Sequence, residues 1–183
     1  QRIRVIHIEE GDVSVARNVG LREAVSEYIG FVDSDDTVSE DMYKSLYNLA
    51  EQHDLDIVYS NYVKVFENKP PRYLYANDGR FVVVDTQDLL RNHYLQRFPA
   101  SACTMIARKR IFENISFPEG RLYEDRSVTY QLLAASRRGG YLNKAFYSYY
   151  QREGSTVHSF TWKHYYDYCM AEGLRLKFLY ETD

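Results

Sequence analysis

Residues Tyr28-Ile29-Gly30-Phe31-Val32 form an uncharged, β-prone run that ends directly in Asp33-Ser34-Asp35-Asp36, three carboxylates within four positions. A strand this apolar belongs inside a sheet, so the carboxylates emerge at its C-terminal edge, where open α/β sheets bind ligands. Carboxylates so crowded repel one another unless they fan out into water or share a hard cation. An acidic turn followed by a helix cap meets the first condition and a metal site meets the second.

With 183 residues and 45% hydrophobic content, the chain can bury one substantial core, and a single domain over residues 1–183 is expected. No apolar run approaches the roughly 20 residues needed to span a bilayer, and Gln1-Arg2-Ile3-Arg4 lacks a signal-peptide pattern, so a soluble chain is expected. Cys103 and Cys169 have no zinc-like spacing and make no disulfide framework; they read as small buried residues in a reducing compartment. A formal net charge of -3, with scattered basic residues, argues against a nucleic-acid partner. Tyrosine is abundant, with 18 copies that can pack half-buried or stack on sugar faces.

Along the chain, Arg2–Glu9 alternates and predicts a strand. Ser14 then caps a helix to about Val25, with Val15, Ala16, Val19 and Ala24 facing inward. With the strand Tyr28–Val32 this makes a β-α-β crossover of parallel type. A helix from Ser39 to His53 buries Met42, Leu46, Leu49 and Ala50. A strand is expected at Ile57–Phe66, a Pro-containing loop at Asn68–Gly79, a short strand at Arg80–Val84 and a helix from Asp85 or Thr86 to Asn92. Further on come a strand at Ala102–Ala107, helical turns at Arg108–Glu113 and a turn at Phe117–Gly120. A helix from Glu124 to Ser136, stopped by Gly139-Gly140, precedes a strand at Tyr141–Tyr150 and an amphipathic helix from Trp162 to the end.

The segment Gly11-Asp12-Val13-Ser14-Val15-Ala16-Arg17-Asn18-Val19-Gly20-Leu21, followed by Tyr28–Asp36, then Glu124-Asp125 and Tyr149–Thr156, resembles the family-2 glycosyltransferases. The resemblance covers most of the chain and is most specific from Gly11 to Asp36. It implies an α/β, A-type glycosyltransferase fold, a Rossmann-like mixed sheet flanked by helices. The chain then looks N-terminally incomplete, because family members begin with a base-binding strand-turn-helix-strand unit that would precede Gln1. A sheet lacking that central strand would expose edges open to pairing between chains, hence a homo-oligomer.

By the same resemblance, the chemistry is transfer of a sugar from a nucleotide diphosphate, with a uridine nucleotide the family's commonest donor, to a hydroxyl with inversion. Asp33-Ser34-Asp35 corresponds to the family's DxD motif, with Asp33 on ribose or metal and Asp35 the main protein ligand of Mn²⁺ or Mg²⁺. Asp36 is open between ligation, capping of the following helix and a place behind the ligating carboxylates. Asp125 matches the catalytic base, although an acid at a helix start is favoured by the macrodipole whether or not it does chemistry. Arg152 and Ser155 match a segment near the diphosphate, and His158 is a further candidate metal ligand. Arg17 borders the nucleotide site in the family, or else pairs with Asp33 or Asp35. The implied partners are a nucleotide-sugar donor and a glycan or lipid-linked acceptor in polysaccharide synthesis. The implied location is cytoplasmic and peripheral at the inner membrane.

Two rival readings use the same residues. Phe31–Thr37 also fits the DxDx[TV] signature of haloacid-dehalogenase-type phosphohydrolases, with Asp33 as nucleophile and Asp35 as acid/base. That class needs the motif on the first strand and a later acidic pair, neither of which is present. A module that binds a nucleotide or partner without turnover is the other.

Overall fold

The computed structural model describes residues 3–9, 11–99, 101–151 and 161–182. Seven strands form one mixed sheet: β1 (Tyr28–Gly30), β2 (Thr37–Val38), β3 (Ile57–Phe66), β4 (Arg72–Tyr73), β5 (Phe81–Asp85), β6 (Met105–Arg108) and β7 (Arg138–Gln151). The main order is β1-β6-β3-β7-β2, with β4 added to β3 and β5 to β7. β3 and β7 run parallel from Ile57↔Gly139 to Phe66↔Gln151, broken by register shifts around Asn61, while β6 is antiparallel to both β1 and β3. The carboxyl ends of β1 and β3 therefore point the same way, and the acidic turn leaves the sheet on that side.

Period-two alternation divides the core into two layers. Ile57 and Tyr59 of β3 face a cluster with Leu21 of α1 (Val13–Glu23), Leu89 of α3 (Thr86–Tyr94) and Leu132 of α4 (Glu124–Ala135). Val58, between them, faces Met42, Leu46 and Ala50 of α2 (Met42–His53). The last helix, α5 (Trp162–Thr182), begins where its sequence predicts and packs on α4, with Phe178 against Tyr130 at 5.0 Å between centroids. Asp167 on α5, 2% exposed, accepts from Arg121 at 2.9 Å, Lys163 at 2.6 Å and the Leu122 N–H at 3.0 Å. Burial opposes its charge, but these three donors outweigh burial and hold its pKa down.

Several expectations change. Residues 3–8 carry no strand, and Ile3 and Val5 are 76% and 71% exposed, because alternation makes a strand only where a neighbouring edge accepts it. The parallel β-α-β opening is accordingly absent among the described residues, and β1 pairs antiparallel with β6 instead. Asp12, not Ser14, caps α1, accepting from the Val15 N–H at 3.0 Å. The inward face of α1 is Ser14, Arg17, Asn18 and Leu21, not the valines. This polar face can be buried because Asn18 is satisfied on both sides by the Phe117 backbone, donating to its carbonyl at 2.9 Å and accepting its N–H at 2.8 Å. The Asn68–Gly79 loop contains β4, residues 102–104 form a 3₁₀ turn before β6, and Cys169 is exposed where burial was expected.

Gly139-Gly140 lies inside β7 and does not stop α4, which ends at Ala135. Close packing explains both glycines: a Cβ at Gly139 would lie 2.8 Å from Leu89 and 2.9 Å from Ile57, and one at Gly140 would lie 2.7 Å from Phe81 and 2.8 Å from Leu55. Gly20, at the start of the last turn of α1, has no atom within 4 Å of such a Cβ. Gly139→Ala should thus lower the unfolding free energy by about 1–3 kcal/mol through overpacking. Gly20→Ala should raise it by up to about 1 kcal/mol through helix propensity. Denaturant titration of both variants checks the pair, and equal effects would show that the glycines of β7 are not held by contact.

Candidate active site

The site is assembled around Arg17, which α1 presents from its inward face, 6% exposed. Its Nη1 donates to Glu124 Oε1 at 2.7 Å and to Asp125 Oδ1 at 2.9 Å, while Nη2 donates to Asp33 Oδ1 at 2.9 Å. The guanidinium lies over Phe117 at 5.2 Å and near Phe31 at 5.9 Å, so its planar faces meet aromatic rings while its edges meet carboxylates. Burial works against this charge, but Asp125, Asp33 and Glu124 together overcome it and hold Arg17 protonated. Of the two readings of Arg17 from sequence, pairing with Asp33 is the one observed. Asp125 joins the same guanidinium.

The acidic run is a tight turn, closed by the Asp36 N–H donating to the Asp33 carbonyl at 3.1 Å. Asp36 is its anchor. Its carboxylate accepts the Tyr147 hydroxyl at 2.7 Å and the Tyr150 N–H at 2.9 Å, both from β7, and burial raises its pKa. Tyr147 also accepts the Asp33 N–H at 3.2 Å, so β7 fixes both ends of the turn. Upstream, a Cβ on Gly30 would lie 2.5 Å from the Tyr43 ring, whose hydroxyl donates to the Phe31 carbonyl at 3.2 Å. Asp35 occupies the turn's exposed corner.

Asp125 sits in the first turn of α4, with its side chain 23% exposed at the floor of a cavity. Surrounding protein penalises its charged form, and this desolvation is the largest influence on it. Arg17 pulls in the other direction, the Glu124 charge adds to the rise, and a hydrogen bond with Ser101 lowers it again, leaving Asp125 pushed up to about 6. Cys103, 3.5 Å from Arg17 Nη2, is driven up to about 12 by burial and the Asp33 charge, so its thiol stays protonated.

Asp33, Asp36, Asp125 and Arg17 all line one cavity of about 510 Å³, which also meets Tyr62, Tyr75 and Tyr149. The Tyr62 ring meets Tyr75 and Tyr149 edge-on at 6.1 and 6.2 Å, which accounts for part of the tyrosine excess. Arg152, Ser155 and His158 lie outside the described residues. Ser101, Tyr147 and Glu124 belong to the site but carried no distinguishing signal beyond the position of Glu124 beside Asp125.

Among the described residues, no three His, Cys, Asp or Glu side chains are grouped to hold a metal. A magnesium-like ion needs fewer, since it keeps waters and takes phosphate oxygens. Asp33 Oδ1 already meets Arg17, and Asp33 Oδ2 and the exposed Asp35 carry the carboxylate chemistry that suits such an ion. Asp36 is engaged with β7 instead.

Against known proteins, the family model described as Glycosyl transferase family 2 matches residues 1–116. The chain is 30% identical over 164 residues to Glycosyltransferase GlyG of Streptococcus pneumoniae serotype 4, covering 85% of this chain and 54% of that protein. It is 35% identical over 161 residues to the uncharacterized glycosyltransferase EpsJ of Bacillus subtilis, covering 84% and 46%. The chain thus spans about half the length of these relatives. The crystal structure of S. aureus TarS 1-349 in complex with UDP-GlcNAc superposes with a TM-score of 0.69 at 24% identity, over 85% of this chain and 44% of that one. The mixed α/β sheet is that of the A-type glycosyltransferases, which removes the phosphohydrolase reading of Asp33 and Asp35. On the family model and these relatives together, the chain belongs to glycosyl transferase family 2.

Proposed function

We propose that the protein transfers a sugar from a nucleotide diphosphate, a UDP-sugar first of all, to an acceptor hydroxyl with inversion, in the synthesis of a surface polysaccharide or related glycan. The observation that carries this reading is the bridge through Arg17. One guanidinium joins the turn that would face a diphosphate to the carboxyl that would take the acceptor proton, and both open on one cavity. The fold shared with TarS, a protein crystallised with UDP-GlcNAc, accords with such a donor.

In this reading Asp35 and Asp33 Oδ2 hold a Mn²⁺ or Mg²⁺ ion. When bound, the ion supplies Lewis-acid stabilisation of charge on the departing diphosphate. Asp125 is the base: raised towards neutrality yet kept ionised by Arg17, it accepts the proton of the attacking hydroxyl, and Ser101 fixes its orientation. Arg17 does not itself reach for the donor, since all three of its carboxylate partners are already engaged; it sets the charge and position of the two aspartates. The tyrosine wall of the cavity offers flat faces for a sugar or base. Arg152 and Ser155 near the diphosphate, and His158 as a further ligand, complete the reading from family resemblance. From family resemblance we place the enzyme in the cytoplasm, peripheral at the inner membrane; separately, among the described residues no helix is long and apolar enough to cross a membrane.

Calorimetry with UDP and Mn²⁺ tests the donor site: Asp35→Ala should abolish the Mn²⁺-dependent heat, and an unchanged Mn²⁺ dependence would remove Asp35 from the site. A chain giving no heat with any nucleotide would be a binding module for some other partner. Asp125→Asn should leave UDP binding nearly intact while turnover drops by about 10²–10⁴-fold, the usual worth of a general base. Turnover should also fall as pH drops below about 6, where Asp125 takes up a proton, and level off above it. A flat profile between pH 5 and 8 would show that proton acceptance lies elsewhere.

A further inference from the structure

α3, α4 and α5 bring His93, Arg126 and Arg175 to the same cavity. Arg126, one position after Asp125, and Arg175 of α5 share a single carboxylate. Arg126 Nη1 meets Glu172 Oε1 at 2.8 Å and Arg175 Nη2 meets Glu172 Oε2 at 2.6 Å. Among the described residues, two guanidiniums on one carboxylate leave a positive charge uncompensated at the cavity. Both are held in place by rings, Arg126 over Tyr168 at 5.1 Å and Arg175 over Tyr94 at 5.0 Å.

His93 lines the same recess, 2% exposed, and neither of its ring nitrogens has a hydrogen-bond partner; the buried Arg175 Nε lacks one too. Burial, then the charges of Arg175 and Arg126, hold the imidazole down to about 4, so it is neutral and offers one donor and one acceptor. Unpaired buried donors are rare because they are costly, and an uncompensated charge next to them selects the sign of what would satisfy them.

We propose that His93, Arg126 and Arg175 form an oxyanion subsite that receives a phosphate group of the acceptor, making the acceptor an anionic molecule. This rests on the transferase reading for its assignment to the acceptor. Arg126 adjoins Asp125 on α4, so an anion anchored there belongs to the molecule whose hydroxyl meets Asp125. The carboxylates of the acidic turn, Asp33 and Asp36, line the same cavity and would repel that anion, giving the acceptor one orientation.

Titration of the full chain with inorganic phosphate, followed through the His93 ring signals by NMR, tests the subsite. The signals should move saturably, and phosphate affinity should fall about tenfold in Arg126→Gln, the loss of roughly one charge-assisted hydrogen bond. Arg175→Gln should weaken it similarly, and binding should persist when UDP and Mn²⁺ are saturating. Displacement of phosphate by UDP would give the recess to the donor's diphosphate and overturn the proposal, as would unchanged affinity in both variants. Phosphate binding that depends on Arg126 without any UDP binding would support the anion site and count against the transferase reading. UDP binding without phosphate binding would do the reverse.

Discussion

One guanidinium allows the rest of the site to exist. Asp33, Glu124 and Asp125 are separated from Arg17 by 16, 107 and 108 positions, and without a cation between them they could not share one cavity. Arginine, not lysine, suits this place. Its planar fork reaches three carboxylates at once while Phe31 and Phe117 cover its faces, so a full charge is buried with every strong interaction satisfied except at Nε. The requirement propagates into the fold. α1 turns Ser14, Arg17 and Asn18 towards the sheet, and Asn18 clamps the Phe117 backbone so that the ring stays under the guanidinium.

The opposite end of the sheet uses charge differently. Asp56, at the entry to β3 and 1% exposed, receives Arg110 and, at longer range, Arg108 and Arg137, and also accepts the Arg137 N–H at 2.7 Å. Here one carboxylate gathers guanidiniums from β6, from the turn after it and from the approach to β7, and Asp56 is not among the residues that line the cavity of the acidic turn. The two ends invert one another: one buried acid with surrounding arginines ties strands together, and one buried arginine with surrounding acids ties a ligand turn to a helix. Burial alone does not separate a structural ion cluster from a functional one; access to a cavity does.

What could be read from sequence was whatever rests on local pattern. Ile57–Phe66 and the helix beginning at Trp162 follow from period, flanking residues and length, and the structure has them at those bounds; the helix expected from Ser39 ends at His53 as read but begins at Met42, after Asp41 and not Ser39 as its N-cap. The same logic misplaced residues 3–8, because alternation describes a segment able to pair and says nothing about whether a partner edge is there. It misread Gly139-Gly140 because a glycine pair after a helix resembles a stop, while the close approach of Leu89, Ile57, Leu55 and Phe81 that requires it comes from distant segments. It also turned α1 the wrong way, since apolarity ranks Val15 and Val19 above Arg17, and only the three-dimensional set of partners makes the polar face the one to bury. Within the site, the acidic turn and Asp125 were visible as motif residues. Ser101 and Tyr147 were not, being one serine and one tyrosine among many, given a role only by the path of β7 and the approach to β6.

Whether Asp125 is a helix cap or a base turns on which of two effects dominates its proton affinity. The N-terminus of α4 favours the anion by roughly 0.3–1 kcal/mol, enough to lower its pKa by less than about one unit. Arg17 acts in the same direction, so an acid placed there only to serve the helix would titrate below the ordinary carboxylate range. Instead Asp125 is pushed from 3.8 up to about 6, because the cavity floor strips its water and Glu124 adds a second charge beside it. Helix stabilisation needs no such burial, and the neighbouring Glu124 already provides the favourable charge in that first turn. In the proposed reading, that burial is what suits this carboxyl to take a proton from a bound hydroxyl and later release it.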